Sequence, residues 1–232
     1  MSAFVFDPPP QASVAVEGES ARFPVRRVYC VGRNYAAHAR EMGQDPEREP
    51  PFFFQKPPDA VADSGASIPY PPETSNLHHE IELVVAIGAE GFAVPAGQAL
   101  DLVYGYAAGI DLTRRDLQFQ ARDAGRPWSW AKGFDRSAPC APLQPVAKVG
   151  HPGAGRIWLE VDGAVRQDAD LSEMIWGVPE VISAVSRSMV LQPGDLIFTG
   201  TPAGVGAVVR NQTIRGGVEG VGEIEIRIVD PV

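Results

Sequence analysis

Cysteine is nearly missing from this chain: only Cys30 and Cys140 occur among its 232 residues. Two thiols cannot build a disulfide framework, and neither lies in a Cys-x-x-Cys or His-spaced pattern suited to zinc. Reduced thiols in a cytoplasm are expected. Positive charge is also short, with 20 Lys and Arg against 29 Asp and Glu and a formal charge of −9. That balance argues against the basic surface needed by sequence-independent nucleic-acid or anionic-membrane binding. No stretch of roughly 18 apolar residues occurs, and the opening MSAFVFDPPP has no basic segment followed by an apolar run. The expectation is a soluble, cytoplasmic protein with a small-molecule partner, no nucleic acid and no membrane. Internal repeats, the lysine of a P-loop and the spacing of a dinucleotide fingerprint are missing as well.

Turn formers, by contrast, are plentiful: 24 Gly and 22 Pro are scattered between apolar runs. They predict many short strands, at 26–31, 52–55, 80–87, 104–110, 157–161, 196–199 and 223–229. Helical patterns are fewer, at 35–42, 113–124 and 178–189, the last with Pro179 in its first turn. No regular βαβ alternation emerges. The fold class read from the pattern is mainly β with short helices, an α+β protein. Residues 1–22 read as an N-terminal arm or edge hairpin, and residues 23–232 as one domain.

Within this frame, His78-His79-Glu80-Ile81-Glu82-Leu83-Val84-Val85 sets two carboxylates two residues apart in an otherwise apolar strand. Period-two geometry puts Glu80 and Glu82 on one face. Burying both costs several kcal/mol, on the order expected for desolvated like charges, unless a cation or protons compensate. A half-solvated strand with Glu80, Glu82 and Val84 outward is the competing reading. Asp111 ends the next apolar run and could join the pair or cap the following helix. Three carboxylates without a thiolate suit a divalent metal, Mg²⁺ or Mn²⁺, with Ca²⁺ also accommodated.

Other side chains carry weaker signals. His38 and Glu41 are three apart and share a helical face, so the carboxylate could orient a general-base imidazole or form a solvated pair. Gly32 and Gly43 flank that segment, as a closing lid or an ordinary cap and turn would have them. Lys132 sits in the aromatic run Trp128-Ser129-Trp130-Ala131-Lys132-Gly133-Phe134, where it could face an anion or reach solvent. Arg115 and Gln118 could project toward whatever Asp111 binds, or belong to a polar helix surface. Phe198-Thr199-Gly200-Thr201-Pro202-Ala203-Gly204 runs into a Gly-rich turn, either a carboxylate cradle or a structural hairpin.

Taken together, CVGRNYAAHAREMG, FFFQKP, HHEIEL, GIDLTRRDLQ, WAKGFD, LQPGDLIFTGTPAGVG and VEGVGEIEI resemble, in order, the motifs of the fumarylacetoacetate hydrolase family across about residues 25–229. The stretches before Lys56 look most like its bacterial fumarylpyruvate-hydrolysing, acylpyruvase-type branch of gentisate degradation. The resemblance implies a mixed β-sandwich roll, a homodimer and a divalent metal. It also implies Glu80, Glu82 and Asp111 as metal ligands, His38 and Glu41 as a water-activating dyad, and Lys132 beside the metal. Gln118 and Thr201, with Arg115, would contact a 2,4-dioxo acid whose carbon-carbon bond is hydrolysed, 3-fumarylpyruvate giving fumarate and pyruvate. Gly133 departs from the small Ser or Ala of many members without touching the role of Lys132. Oxaloacetate decarboxylation and 2-hydroxymuconate-type isomerisation use the same scaffold, and a Ca²⁺-stabilised binding module is the non-enzymatic alternative. No motif marks the residue for a distal carboxylate; Arg26, Arg40, Arg114 and Arg126 are the candidates.

Overall fold

The structure, a computed structural model, describes residues 4–41 and 49–231. Its centre is the strand Ile81–Ile87, IELVVAI, in which every residue is buried. A strand apolar on both faces belongs between layers, and that is where it lies. It pairs antiparallel with Val103–Ile110 on one side and Asp195–Phe198 on the other. The sheet continues through Arg27–Gly32 to Phe52–Lys56 at one edge, and through Ala138–Cys140 to Val61–Asp63 at the other. Two neighbours, Asp195–Phe198 with Arg27–Gly32 and Ala138–Cys140 with Val61–Asp63, run parallel, so the sheet is mixed.

A second, five-stranded sheet orders Ala164–Asp170, Arg156–Val161, Thr213–Val218, Gly222–Val229 and Ser67–Pro69. Gly222–Val229, GEIEIRIV, alternates exposed and buried residues, so Ile224, Ile226 and Ile228 form one apolar face. That face meets the central sheet in one continuous core with Ile157, Leu159 and Leu83. Close approach of the layers needs a bare backbone: a Cβ at Gly216 would lie 2.8 Å from Ile81 Cδ1. A small sheet of Thr113–Arg114, Leu77–His79 and Gly206–Val208 closes one end. The mixed sandwich with few helices is the expected fold class.

All seven predicted strands and all three predicted helices are present with shifted ends. The strand expected from residue 80 is broken there: Leu77–His79 belongs to the small sheet and Ile81–Ile87 to the large one. Thr113–Arg114 is a strand, so the helix expected at 113–124 spans Arg115–Asp123. The first helix is Ala36–Glu41; Met42 and Gly43, expected at its end, lie outside the described residues. Ser13–Ala15 pairs with Arg22–Pro24, and Val14 is fully buried in the core. Among the described residues no helix is long and apolar enough to cross a membrane.

Candidate metal centre and active site

The break at Glu80 is what gathers the carboxylates. Asp111 follows the strand Val103–Ile110, and its amide donates to the Glu80 carbonyl at 2.8 Å, so the two residues stand side by side. Glu82 follows one pleat later on the same strand face. No half-solvated face exists: Glu80, Glu82, Val84 and Asp111 are all buried. Their ligand atoms lie within 4.8 Å of one another.

Cations surround two of the three. Lys132, at the end of the short helix Ser129–Lys132, donates to Glu80 Oε2 at 2.8 Å, Asp111 Oδ2 at 2.6 Å and Thr113 Oγ1 at 2.7 Å. Burial pulls its ammonium downward, but Asp111 and Glu80 outweigh that and hold it above the ordinary lysine value, so it is a cation. Lys56 stands 2.7 Å from Asp111 Oδ1 and donates to the Leu112 carbonyl at 3.1 Å and to the Lys132 carbonyl. Arg115 pairs with Glu80 Oε1. Burial pushes the Glu80 carboxyl up, yet Lys132 and Arg115 together hold it well below the ordinary range. Arg115 is itself braced: its Nε donates to His78 Nδ1 at 3.3 Å and one Nη to Gln118 Oε1. Burial and then Arg115 lower His78 to about 4, so its neutral ring can accept that bond.

Glu82 is the exception. Its hydrogen-bond donor is the Gly200 N–H, at 2.7 Å. Burial, then Asp111 and Glu80, push its carboxyl well above the ordinary value. A buried carboxyl short of positive charge, beside Asp111 Oδ1 whose contact with Lys56 is an ion pair without hydrogen-bond alignment, fits a site for a further cation. The all-oxygen donor set suits Mg²⁺ or Mn²⁺ and accommodates Ca²⁺.

Above the carboxylates, His38 Nδ1 lies 3.1 Å from Glu41 Oε2, which leaves Nε2 for a ligand. Glu41 in turn accepts from the Gly204 N–H at 3.1 and 3.2 Å. Burial works against its ionisation, but the bonds from His38 and Gly204 hold Glu41 below 4.5. The Gly-rich turn is therefore a carboxylate cradle for the protein's own side chains. Gly200 serves Glu82, and Gly204 serves Glu41. Both have positive φ, 96° and 94°, and a Cβ at Gly204 would lie 2.1 Å from the Arg166 carbonyl oxygen.

Two residues that pattern reading did not single out hold this arrangement. Gln167, fully buried, accepts from the Ile81 N–H at 3.1 Å, lies 2.9 Å from His79 Nδ1, and donates to Thr201 Oγ1 at 2.8 Å. With its oxygen occupied as acceptor, the Thr201 hydroxyl can donate toward the cavity. Asn34, also fully buried, donates to the Thr199 carbonyl at 2.7 Å and the Trp176 carbonyl at 2.9 Å, anchoring the segment before His38. Neither Gln167 nor Asn34 stands in a chemically distinctive pattern.

One cavity of roughly 520 Å³, counting its open mouth, collects these groups. His38, Glu80, Glu82, Arg115, Gln118, Lys132 and Thr201 all line it, and Asp111 and Glu41 touch lining residues without lining it themselves. None of the four arginines considered for a distal carboxylate lines it. Arg26 pairs with Asp195 at 3.0 Å, Arg114 stacks on Phe134 at 4.5 Å, Arg40 is exposed, and Arg126 borders an adjacent groove. Arg33 and Arg122 line the cavity instead.

With this geometry established, known proteins give it context. Residues 27–229 match the family described as Fumarylacetoacetate (FAA) hydrolase C-terminal. A fumarylpyruvate hydrolase from a Ralstonia species is 49% identical over 79% of this chain and 95% of its own length. The mitochondrial oxaloacetate tautomerase FAHD1 of Rattus norvegicus is 44% identical over 88% of this chain and 91% of its own. Among solved structures, fumarylpyruvate hydrolase from Pseudomonas aeruginosa, in complex with Mn²⁺ and pyruvate, superimposes with a TM-score of 0.96. It is 54% identical and covers 98% of this chain and 100% of its own.

Proposed function

The chain belongs to the fumarylacetoacetate hydrolase family, and from that premise we propose that it hydrolyses the carbon-carbon bond of a 2,4-dioxo acid, 3-fumarylpyruvate, to fumarate and pyruvate. The observation that carries this reading is the juxtaposition of a buried carboxylate triad, in which Glu82 is held by a backbone N–H and not by a cation, with a carboxylate-braced histidine on one cavity. A divalent cation held by Glu80, Glu82 and Asp111 would supply a Lewis acid for the pyruvyl oxygens, where negative charge gathers on cleavage.

The side chains divide the remaining work. His38, its tautomer fixed by Glu41, takes a proton from water through Nε2 while the water oxygen bonds to C4. The C3–C4 bond then breaks, its electron pair passing to the pyruvyl half as an enolate, and fumarate leaves with the new carboxylate oxygen. Return of the proton to C3 gives pyruvate and restores the histidine. The NH₂ end of Gln118, whose oxygen is engaged by Arg115, and the Thr201 hydroxyl are preorganised donors for the oxygens that gain charge, while the Lys132 ammonium, its three protons on Glu80, Asp111 and Thr113, supplies positive charge beside them. Arg115 keeps Glu80 ionised and oriented beside the same substrate.

The high identity to an oxaloacetate tautomerase supports weighing oxaloacetate as a second substrate, which needs enolate stabilisation but no attack by water. A homodimer acting in the cytoplasm, in gentisate degradation, completes the proposal on the strength of the family motifs. Turnover of 3-fumarylpyruvate, 3-maleylpyruvate, acetylpyruvate and oxaloacetate with Mg²⁺ and with Mn²⁺ tests it. The highest kcat/KM is expected for 3-fumarylpyruvate. Comparable or faster turnover of oxaloacetate would displace the assignment.

A further inference from the structure

Arg115, Gln118 and Arg122 stand at i, i+3 and i+7 of the helix Arg115–Asp123, so they share one face. All three line the cavity that begins at Glu80 and Lys132. At 1.5 Å per residue, Arg122 starts about 10 Å further along that face than Arg115. An extended seven-carbon chain spans roughly 7–8 Å between its end carbons, from six zigzag bonds of about 1.5 Å. A seven-carbon 2,4-dioxo diacid anchored at the carboxylate cluster and laid along that face would end about 2–3 Å short of the start of Arg122, a gap its long side chain can span.

The two arginines differ in what they have left to offer. Arg115 commits Nε to His78, one Nη to Gln118 and the other to Glu80. Arg122 commits only Nε, to Asp123 Oδ1 at 2.8 Å, and among the described residues its two Nη nitrogens have no hydrogen-bond partner. Its guanidinium lies over the Phe119 ring at 4.7 Å, and Phe119 is part of the cavity wall. A planar fork braced on a ring, with two donors open, is suited to bidentate capture of a carboxylate.

We propose that Arg122 binds the far carboxylate of the acyl group and so sets a preference for dianionic over uncharged acylpyruvates. This rests on the hydrolase reading above. Phe54, Phe119 and Trp128 give the intervening carbon chain an apolar wall.

The test compares kcat/KM for 3-fumarylpyruvate and for acetylpyruvate, which ends in a methyl group, in wild type, Arg122→Gln and Arg122→Lys. The ratio of the two substrates should fall about tenfold or more in Arg122→Gln, through KM, and recover in part in Arg122→Lys. Arg122 is in the last helical turn with its side chain 37% exposed, so both variants should melt within a few degrees of wild type. Should the glutamine variant melt lower, the lysine variant against Arg122→Met carries the comparison. Wild type that hydrolyses acetylpyruvate but not 3-fumarylpyruvate would refute the substrate reading itself. A wild-type preference for 3-fumarylpyruvate that survives Arg122→Gln would overturn the role of Arg122 alone. The same holds if the preference is lost only in Arg33→Gln, since Arg33 also lines the cavity.

Discussion

At the inner end of the cavity Glu80, Asp111, Lys132, Lys56 and Arg115 are tied to one another by ion pairs, all of them buried. At the outer end Arg122 rests over Phe119, and its ion pair with Asp123 is open to solvent. A side chain that has several buried partners cannot change without stranding them, because an unpaired buried charge costs several kcal/mol. A side chain stacked on a ring can. The inner end therefore suits the part of the reaction common to all 2-oxo acids, and the outer end suits selection of the acyl group.

The contrast predicts graded damage. Asp111→Asn keeps the volume but removes the charge facing two lysines, and should lower kcat/KM by about 10³-fold or more, with Mn²⁺ affinity falling in calorimetric titration. Lys56→Met takes the cation from Asp111 Oδ1 and a donor from the Leu112 carbonyl; a loss of about 3–5 kcal/mol, seen as a melting point lower by roughly 10 °C, is expected. A neutral result in either would mean that the inner end is not the interlocked cluster described.

Gln167→Leu leaves the Ile81 N–H and the Thr201 hydroxyl without their partner. It should cost about 1–3 kcal/mol in chemical denaturation, with a smaller loss of kcat/KM than Asp111→Asn. Wild-type stability in that variant would detach Gln167 from the site.

The smallest effect concerns pH. Glu41 has a lowered pKa in the folded chain, so the stability it contributes is full above its ordinary value of 4.5 and is lost as pH falls through the lowered one. Protection of the Gly204 amide against hydrogen exchange, set against Glu41→Gln, should hold from neutrality down to 4.5 and fade only below it. Fading nearer neutrality would break the link between Glu41 and the Gly-rich turn.

Legibility in the sequence followed the range of the interactions. Glu80, Glu82 and Asp111 could be read because an acidic alternation inside IELVV and an acid at a strand end are local anomalies. The layered, mostly β fold was legible from apolar runs separated by turn formers. Gln167 was not, because the strand Ala164–Asp170, AVRQDAD, is largely exposed and polar, and its one fully buried residue is identified only by partners some 34 and 86 positions away. Lys56 stood inside a recognisable motif, yet its partner Asp111 lies in a different strand connection. The helix expected from residue 113 began two residues later because pairing with His78 drew Thr113 into a strand, a tertiary contact overriding local pattern. Arg122 was not singled out by the sequence pattern, since only the placement of the helix beside the carboxylates shows which of its faces borders the cavity.

In the proposed reaction the inner carboxylates bind the metal and the pyruvyl half, and the histidine above them activates water. His38→Gln separates the two most directly, with Mn²⁺ and pyruvate binding measured by calorimetry beside hydrolysis of 3-fumarylpyruvate. Mn²⁺ and pyruvate affinities close to wild type, together with a fall in kcat of about 10²- to 10⁴-fold, are predicted. Undiminished hydrolysis, or loss of Mn²⁺ binding in step with activity, would contradict it.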